Sequence, residues 1–289
     1  MRNNKPAFVL VTAVAIAIVG AGLSIFFNRF IDLTGGVGDT TPVPKATVLP
    51  PAAPRLEKTA TVTYAPPSPR DAPAEIREAV LLGANILAET GKYASRYVGN
   101  KLSCTNCHFK AGITQGGKNG GLSLVGVGAS YPQYRKRQNY AVDLVTRTND
   151  CFKRSMNGRP LPEESKEMTA IVTYYQWISK GLPVYAEIPW LGLKHLKSSH
   201  VPDKAKGRQV FDAKCAVCHG KNGEGTSAAP PLWGDTSFND GAGMRKPANL
   251  AAFARFNMPL GNPDLSDEDA LDVAEYIAAQ PRPHFSGRQ

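Results

Sequence analysis

The sequence predicts an all-α protein: two small tandem helical domains set behind an apolar N-terminal segment and a proline-rich linker. Three observations point there. One constellation of features occurs twice after about residue 74, and each copy ends in a run whose apolar residues repeat with the helical period. Neither copy contains a run that alternates apolar and polar residues as a half-buried strand does. The length of 289 residues accommodates two such domains with segments to spare. The composition, 42% hydrophobic and 20% charged, supports ordinary cores and excludes general disorder.

Taken in order, Arg2 and Lys5 precede an uncharged run from Ala7 to Phe27. At ~1.5 Å per residue this run spans roughly 30 Å, the thickness of a bilayer core. A secretory apolar region is shorter, and no convincing small-x-small site closes this one, Gly20-Ala21-Gly22 being the nearest candidate. Cleavage at Gly20-Ala21-Gly22 would leave Ile25, Phe26 and Phe27 on the mature terminus. Residues 1–30 are therefore expected to be an uncleaved transmembrane anchor, with a cleaved signal peptide as the alternative. Positive charge ahead of the span places all that follows outside the cytoplasm. Residues 31–73 form the linker. Nine prolines lie between Thr40 and Pro73 with few large apolar residues, so an extended tether is expected.

The first domain is expected over residues 74–190 and the second over 191–289. Each opens with a short helical run, near residues 79–93 and 205–213. Next come Cys104-Thr105-Asn106-Cys107-His108 and Cys215-Ala216-Val217-Cys218-His219, each followed by a glycine-rich loop. Each closes with a stripe at i, i+3, i+4, i+7: Ile171, Tyr174, Tyr175 and Ile178, then Ala270, Val273, Ala274 and Ile277. Ser266, ahead of Asp267, Glu268 and Asp269, reads as a helix N-cap with acids in the first turn. His195, His200 and His284 are expected to be surface residues without a role.

C-x-x-C-H is the attachment signature of a c-type haem. Cysteines one helical turn apart reach the two vinyl groups, and the adjacent histidine offers an imidazole to the iron. A single copy could be a redox dithiol or half a zinc site. Two copies 111 residues apart in matching positions on an exported chain point to two covalently bound haem c groups. Cys104, Cys107, Cys215 and Cys218 are the attachment residues; His108 and His219 are the proximal ligands.

Each half thus resembles a class I cytochrome c domain, a family in which a later loop supplies the sixth ligand, usually methionine. That resemblance makes Met258, 39 residues after His219 and just ahead of the closing helix, the candidate ligand of the second haem. Met244, only 25 residues on, is the rival, and Met258 as core filler is the plainer alternative. A thioether ligand raises the potential of its haem and suits an electron outlet.

The first half departs from this pattern. Its matching position, 43 residues after His108, holds Cys151, the odd cysteine of five. With thioethers on the other four, it has no disulfide partner in an oxidising compartment. Arg147, Lys153 and Arg154 favour a thiolate there, and a thiolate on iron lowers its potential. Cys151 is the candidate axial ligand; a buried inert cysteine or ligation by Met156 are the alternatives. Arg135, Lys136 and Arg137 add to a basic cluster whose guanidinium forks match small oxyanions, although an exposed charge run is commonly only a solvated face. The net charge of +10 steers anions inward, against up to four haem propionates. No nucleic-acid partner is expected.

Together, Tyr134-Arg135-Lys136-Arg137, Arg147, the run Cys151-x-x-Arg154-Ser155-x-Asn157-Gly158 and Asn257-Met258-Pro259 resemble the dihaem thiosulfate dehydrogenase family. The resemblance implies a periplasmic oxidoreductase that joins two thiosulfates into tetrathionate, in some members reversibly. It implies Cys151 as ligand of the catalytic haem, Arg137, Arg147 and Ser155 as substrate-contacting groups, and Met258 as ligand of the transfer haem. Electrons would pass to a cytochrome c or a terminal oxidase. Cys151 would either tune the iron as a ligand or leave it to form a sulfur–sulfur adduct with substrate. Competing readings are a dihaem electron carrier without substrate chemistry, which would use Met156 on the first iron, and an electron-transfer subunit of a multi-protein sulfur-oxidation complex.

Overall fold

Helix starts follow capping chemistry. Asp143, Ser165, Asp203 and Ser266 each stand before a helix and accept a hydrogen bond from a backbone N–H of its first turn. The computed structural model describes residues 64–287, all within one compact unit. In the first half the main helices are α1 (Ala74–Ala88), α2 (Leu144–Arg154) and α3 (Lys166–Trp177). In the second they are α4 (Lys204–Val210), α5 (Pro247–Asn257) and α6 (Asp267–Ala278).

The two halves repeat one packing unit. In the first, α1 crosses α3; in the second, α4 crosses α6. Each crossing is made close by a glycine. A Cβ on Gly83 would overlap the Ala170 carbonyl of α3, and one on Gly207 would overlap the Asp272 carbonyl of α6. Tyr174 and Tyr276 flank the two contacts. The crossing buries the predicted stripes: Ile171, Tyr174 and Ile178 meet Val80, Ile86 and Leu87 in the first core. Val273, Ala274 and Ile277 meet Phe211 in the second. Phe211, Trp233 and Tyr276 form an aromatic trio with ring centroids 4.9, 5.6 and 5.9 Å apart. Each large apolar side chain so buried contributes roughly 1.5–3 kcal/mol.

Three features differ from the sequence reading. The chain is not wholly helical: β1 (Gln133–Arg135) and β2 (Tyr140–Val142) pair antiparallel, with Gln133 opposite Val142, Tyr134 opposite Ala141 and Arg135 opposite Tyr140. Three residues per strand are too few to show a period of two, and Asn139, at φ 64°, completes the turn. The end of the proline-rich stretch is docked rather than extended. Tyr64 stacks on Trp190 at 6.1 Å, its hydroxyl donates to the Ile178 and Lys180 carbonyls, and Trp177 Nε1 donates to the Ser68 carbonyl. His200 is no free surface residue, since its Nε2 lies 2.6 Å from the buried carboxylate of Asp272. The expected membrane anchor at residues 1–30 lies outside the described residues; among the described residues no helix is long and apolar enough to cross a membrane.

Candidate active site

Helix α2 carries the chemistry. Asp143 Oδ1 accepts from Thr146 N at 2.7 Å and fixes the helix start. From there the 3.6-residue period turns Thr148, Cys151, Phe152 and Ser155 toward one cavity of about 60 Å³. Arg147 and Cys151 are one turn apart, and Arg147 Nη1 donates to Cys151 Sγ at 2.9 Å. The sulfur beside it holds the Arg147 guanidinium above its ordinary pKa, against the opposing effect of burial. A charge-assisted bond of this kind stabilises an anionic acceptor.

Cys104, Cys107 and His108 line the same cavity. His108 Nδ1 donates to the Leu122 carbonyl at 2.8 Å, so Nε2 is left for a metal. Burial, reinforced by the Arg147 charge, pulls the His108 pKa down to about 4 and keeps the imidazole in its neutral, ligating form. The second half repeats this arrangement: His219 Nδ1 donates to the Pro230 carbonyl at 2.8 Å, and burial lowers its pKa too. Two thiols and a neutral, oriented imidazole are a donor set that fits a covalently attached haem in each half, and in the first an apolar cleft adjoins them.

A cationic niche adjoins the first cavity. Arg154 Nε lies 3.4 Å from Asp150 Oδ1, with both side chains mostly buried. Gln138, in the hairpin turn, donates to the other oxygen of Asp150. The turn thereby brings Arg137 to α2. Partial burial and the fields of Arg154, Arg147 and Arg135 depress the Arg137 guanidinium, while Asp150 pulls the other way. The structure therefore brings Cys151 and Ser155 to one cavity, with Arg147 bonded to the Cys151 sulfur and Arg137 within electrostatic reach.

The methionines divide. Met156 is buried and lines the first cavity, so both the Cys151 sulfur and its rival thioether face that space. Met244, the rival for the second site, lines the first cavity instead and touches both cores. Met258 sits half-buried at the C-terminal end of α5. Its neighbour Asn257 is buried and accepts from Gly121 N at 2.8 Å, so the first half's glycine-rich loop holds the segment that bears Met258.

Sequence reasoning missed the share of the second half in the first cavity. Phe238 and Met244 form part of its wall. Buried Asn239 donates through Nδ2 to the Lys153 carbonyl at 2.8 Å and to Asn157 Oδ1 at 3.0 Å, and through its backbone N to the Arg154 carbonyl at 3.2 Å. These bonds satisfy carbonyls that the end of α2 leaves without helical partners. No periodicity marks such a residue, because its partners are distant in sequence. The Asn157-Gly158 pair has a local reason: Asn157 takes φ 45°, and the Tyr97 carbonyl fills the place of a Gly158 Cβ.

Comparison with known proteins agrees with this architecture. The family model "SoxA/TsdA, cytochrome c domain" matches residues 92–184, and "Cytochrome c" matches residues 204–280. The thiosulfate dehydrogenase of Allochromatium vinosum is 39% identical over 215 residues, covering 72% of this chain and 80% of that protein. That of Stutzerimonas stutzeri is 40% identical over 228 residues, 76% and 73% of the two chains. That of Thiomonas intermedia is 43% identical over 211 residues, 71% and 66%. The solved thiosulfate dehydrogenase (TsdBA) of Marichromatium purpuratum superposes with a TM-score of 0.72 at 30% identity, covering 80% of this chain and 52% of that one. Two cytochrome c domains with two covalently bound c-type haems, and relatives alike over most of their length, show that this chain belongs to the thiosulfate dehydrogenase family.

Proposed function

We propose that the chain joins two thiosulfate ions through their outer sulfurs into tetrathionate at the first cavity and hands the electrons to an acceptor through the second domain. The observation that carries this reading is the 2.9 Å bond from Arg147 to Cys151 Sγ in the wall of the cavity that also holds Cys104, Cys107 and His108. The two haems, when bound, supply one-electron acceptors for the two electrons released by each coupling.

The residues supply the rest. Two dianions repel, so Arg137, Arg147 and Arg154 neutralise them before their sulfurs approach, by electrostatic preorganisation and proximity. Asp150 and Gln138 hold that niche from behind. Ser155, at the cavity wall, offers a hydroxyl to a sulfonate oxygen. Two roles are open to the Cys151 sulfur. As a ligand of the first haem it would lower that haem's potential. As a nucleophile it bonds the outer sulfur of one thiosulfate with loss of two electrons, and the second thiosulfate displaces it, giving tetrathionate and restoring the thiolate. A mass increase confined to Cys151 after thiosulfate treatment marks the second role.

In this reading His108 and Cys151 would hold the first haem iron, His219 and Met258 the second, and Cys104, Cys107, Cys215 and Cys218 would carry the thioethers. A cytochrome c or a terminal oxidase is the acceptor. The apolar run in residues 1–30 and the prolines after it support a periplasmic protein tethered to the membrane, with the soluble form left by signal cleavage as the alternative. The test is anaerobic addition of thiosulfate to the oxidised holoprotein. Reduction of its own haems with release of tetrathionate is expected, and a Cys151→Gly protein should lose it. Haems left oxidised by thiosulfate in the intact protein would make this a plain electron carrier.

A further inference from the structure

Arg282 follows the last helix and folds back onto the second domain. Its Nη1 donates to the Leu232 carbonyl at 3.2 Å and its Nη2 to the Ile277 carbonyl at 2.9 Å. Its guanidinium lies 4.4 Å from the ring centroid of Phe238. Its Nε is buried with no partner, the only such side-chain atom among the described residues. The charges near it do not complete the site. Arg245 adds a second positive charge, and Asp240 is already engaged by His284 Nδ1 at 2.7 Å and Phe285 N at 2.8 Å. Burial and the Arg245 field together pull Arg282 down to about 10, against the weaker attraction of Asp240.

A buried guanidinium beside a second cation, with one N–H unanswered, describes half of an anion site. The haem brings the other half, since each carries carboxylates into the fold. Position says which haem. Leu232 stands two residues after Pro230, whose carbonyl holds His219, and Ile277 lies on α6 in the same core. Phe238, on the guanidinium's face, lines the first cavity.

We propose that Arg282, with Arg245 beside it, holds a propionate of the second haem through Nε and keeps a positive charge between the two haem sites. A cation there favours the electron-bearing state of the second haem and draws electrons away from the first. The inference rests on the two haems alone, so it stands or falls separately from the thiosulfate chemistry.

Spectroelectrochemical titration of the holoprotein tests it, with the two haems told apart by their ligand-dependent spectra. Arg282→Gln should lower the reduction equilibrium constant of the second haem about five- to tenfold, tenfold being about 59 mV for one electron, and leave the first within about twofold. Arg282→Lys, which keeps the charge, should recover most of that shift. No shift in Arg282→Gln, a shift confined to the first haem, or equal shifts in the Gln and Lys proteins would overturn the proposal. Should the Arg282 proteins fail to fold, Arg245→Gln, half-buried at the end of a single 3-10 turn, should lower the same constant about threefold. An unchanged second haem in that protein overturns it equally.

Discussion

At the residue scale the account turns on a single hydrogen bond and the charges around it. Arg147 reaches Cys151 through one guanidinium nitrogen, and the planar fork leaves other donors for an oxyanion. Arg147→Lys keeps a charge but loses that geometry. A hydrogen bond to a charged group is worth about 1.5–3 kcal/mol, so kcat/KM for thiosulfate should fall roughly 10- to 100-fold, measured by steady-state kinetics. Asp150→Asn should leave the haem spectra unchanged and raise KM, because Arg154 and the Gln138 turn lose their common anchor. Legibility at this scale was uneven. The two C-x-x-C-H motifs and the unpaired cysteine could be read directly, since their chemistry depends on residue type and spacing. Asp150 and Gln138 could not, because a carboxylate that holds an arginine looks in sequence like any surface acid.

At the element scale, the stripes of α3 and α6 and the Ser266 cap of α6 were readable, because one helix face repeats within twelve residues and acids follow the cap. The hairpin was not, being three residues a side, nor were the glycines at the two helix crossings. Gly83 and Gly207 lie in ordinary-looking helical runs, and their need becomes visible only when the second helix arrives. Gly83→Ala and Gly207→Ala should each destabilise the protein by about 1–3 kcal/mol, because the clashing atom is a helix carbonyl that cannot swing away. Chemical denaturation of the holoproteins measures this. Helix α2 owes its C-terminal end to Asn239 of the other half. Asn239→Ala should cost roughly 1–3 kcal/mol and loosen the haem pocket wall at Ser155 and Met156. Asn239→Asp should be no rescue, since it removes the donor that both partners need.

For the whole molecule, the halves are joined at two places. Asn100, Lys101 and Asn239 tie one side, while Asn119, Gly121 and the Phe109–Phe253 edge contact tie the other. Repeat counting identified two domains but left this joint unread, since the glycine-rich loops look like free loops until Asn257 is seen bonded into one of them. The joint gives the second half a direct part in the first cavity through Phe238 and Met244. Charge is also a property of the whole chain. A formal +10, with Arg137 exposed and within electrostatic reach of Arg147 and Arg154, predicts steering of anions. Raising ionic strength from about 0.01 M to about 0.15 M shortens the Debye length from roughly 30 Å to 8 Å, and kcat/KM for thiosulfate should fall several-fold.

The placement of Cys151 as an anionic sulfur on the first iron is tested most directly by electron paramagnetic resonance of the oxidised holoprotein. The account predicts two low-spin species, one with the narrow anisotropy of thiolate ligation, and loss of that species alone in Cys151→Ala. Two species of histidine or thioether type in the intact protein, unchanged by the substitution, would contradict it and leave Met156 as the sulfur on that iron.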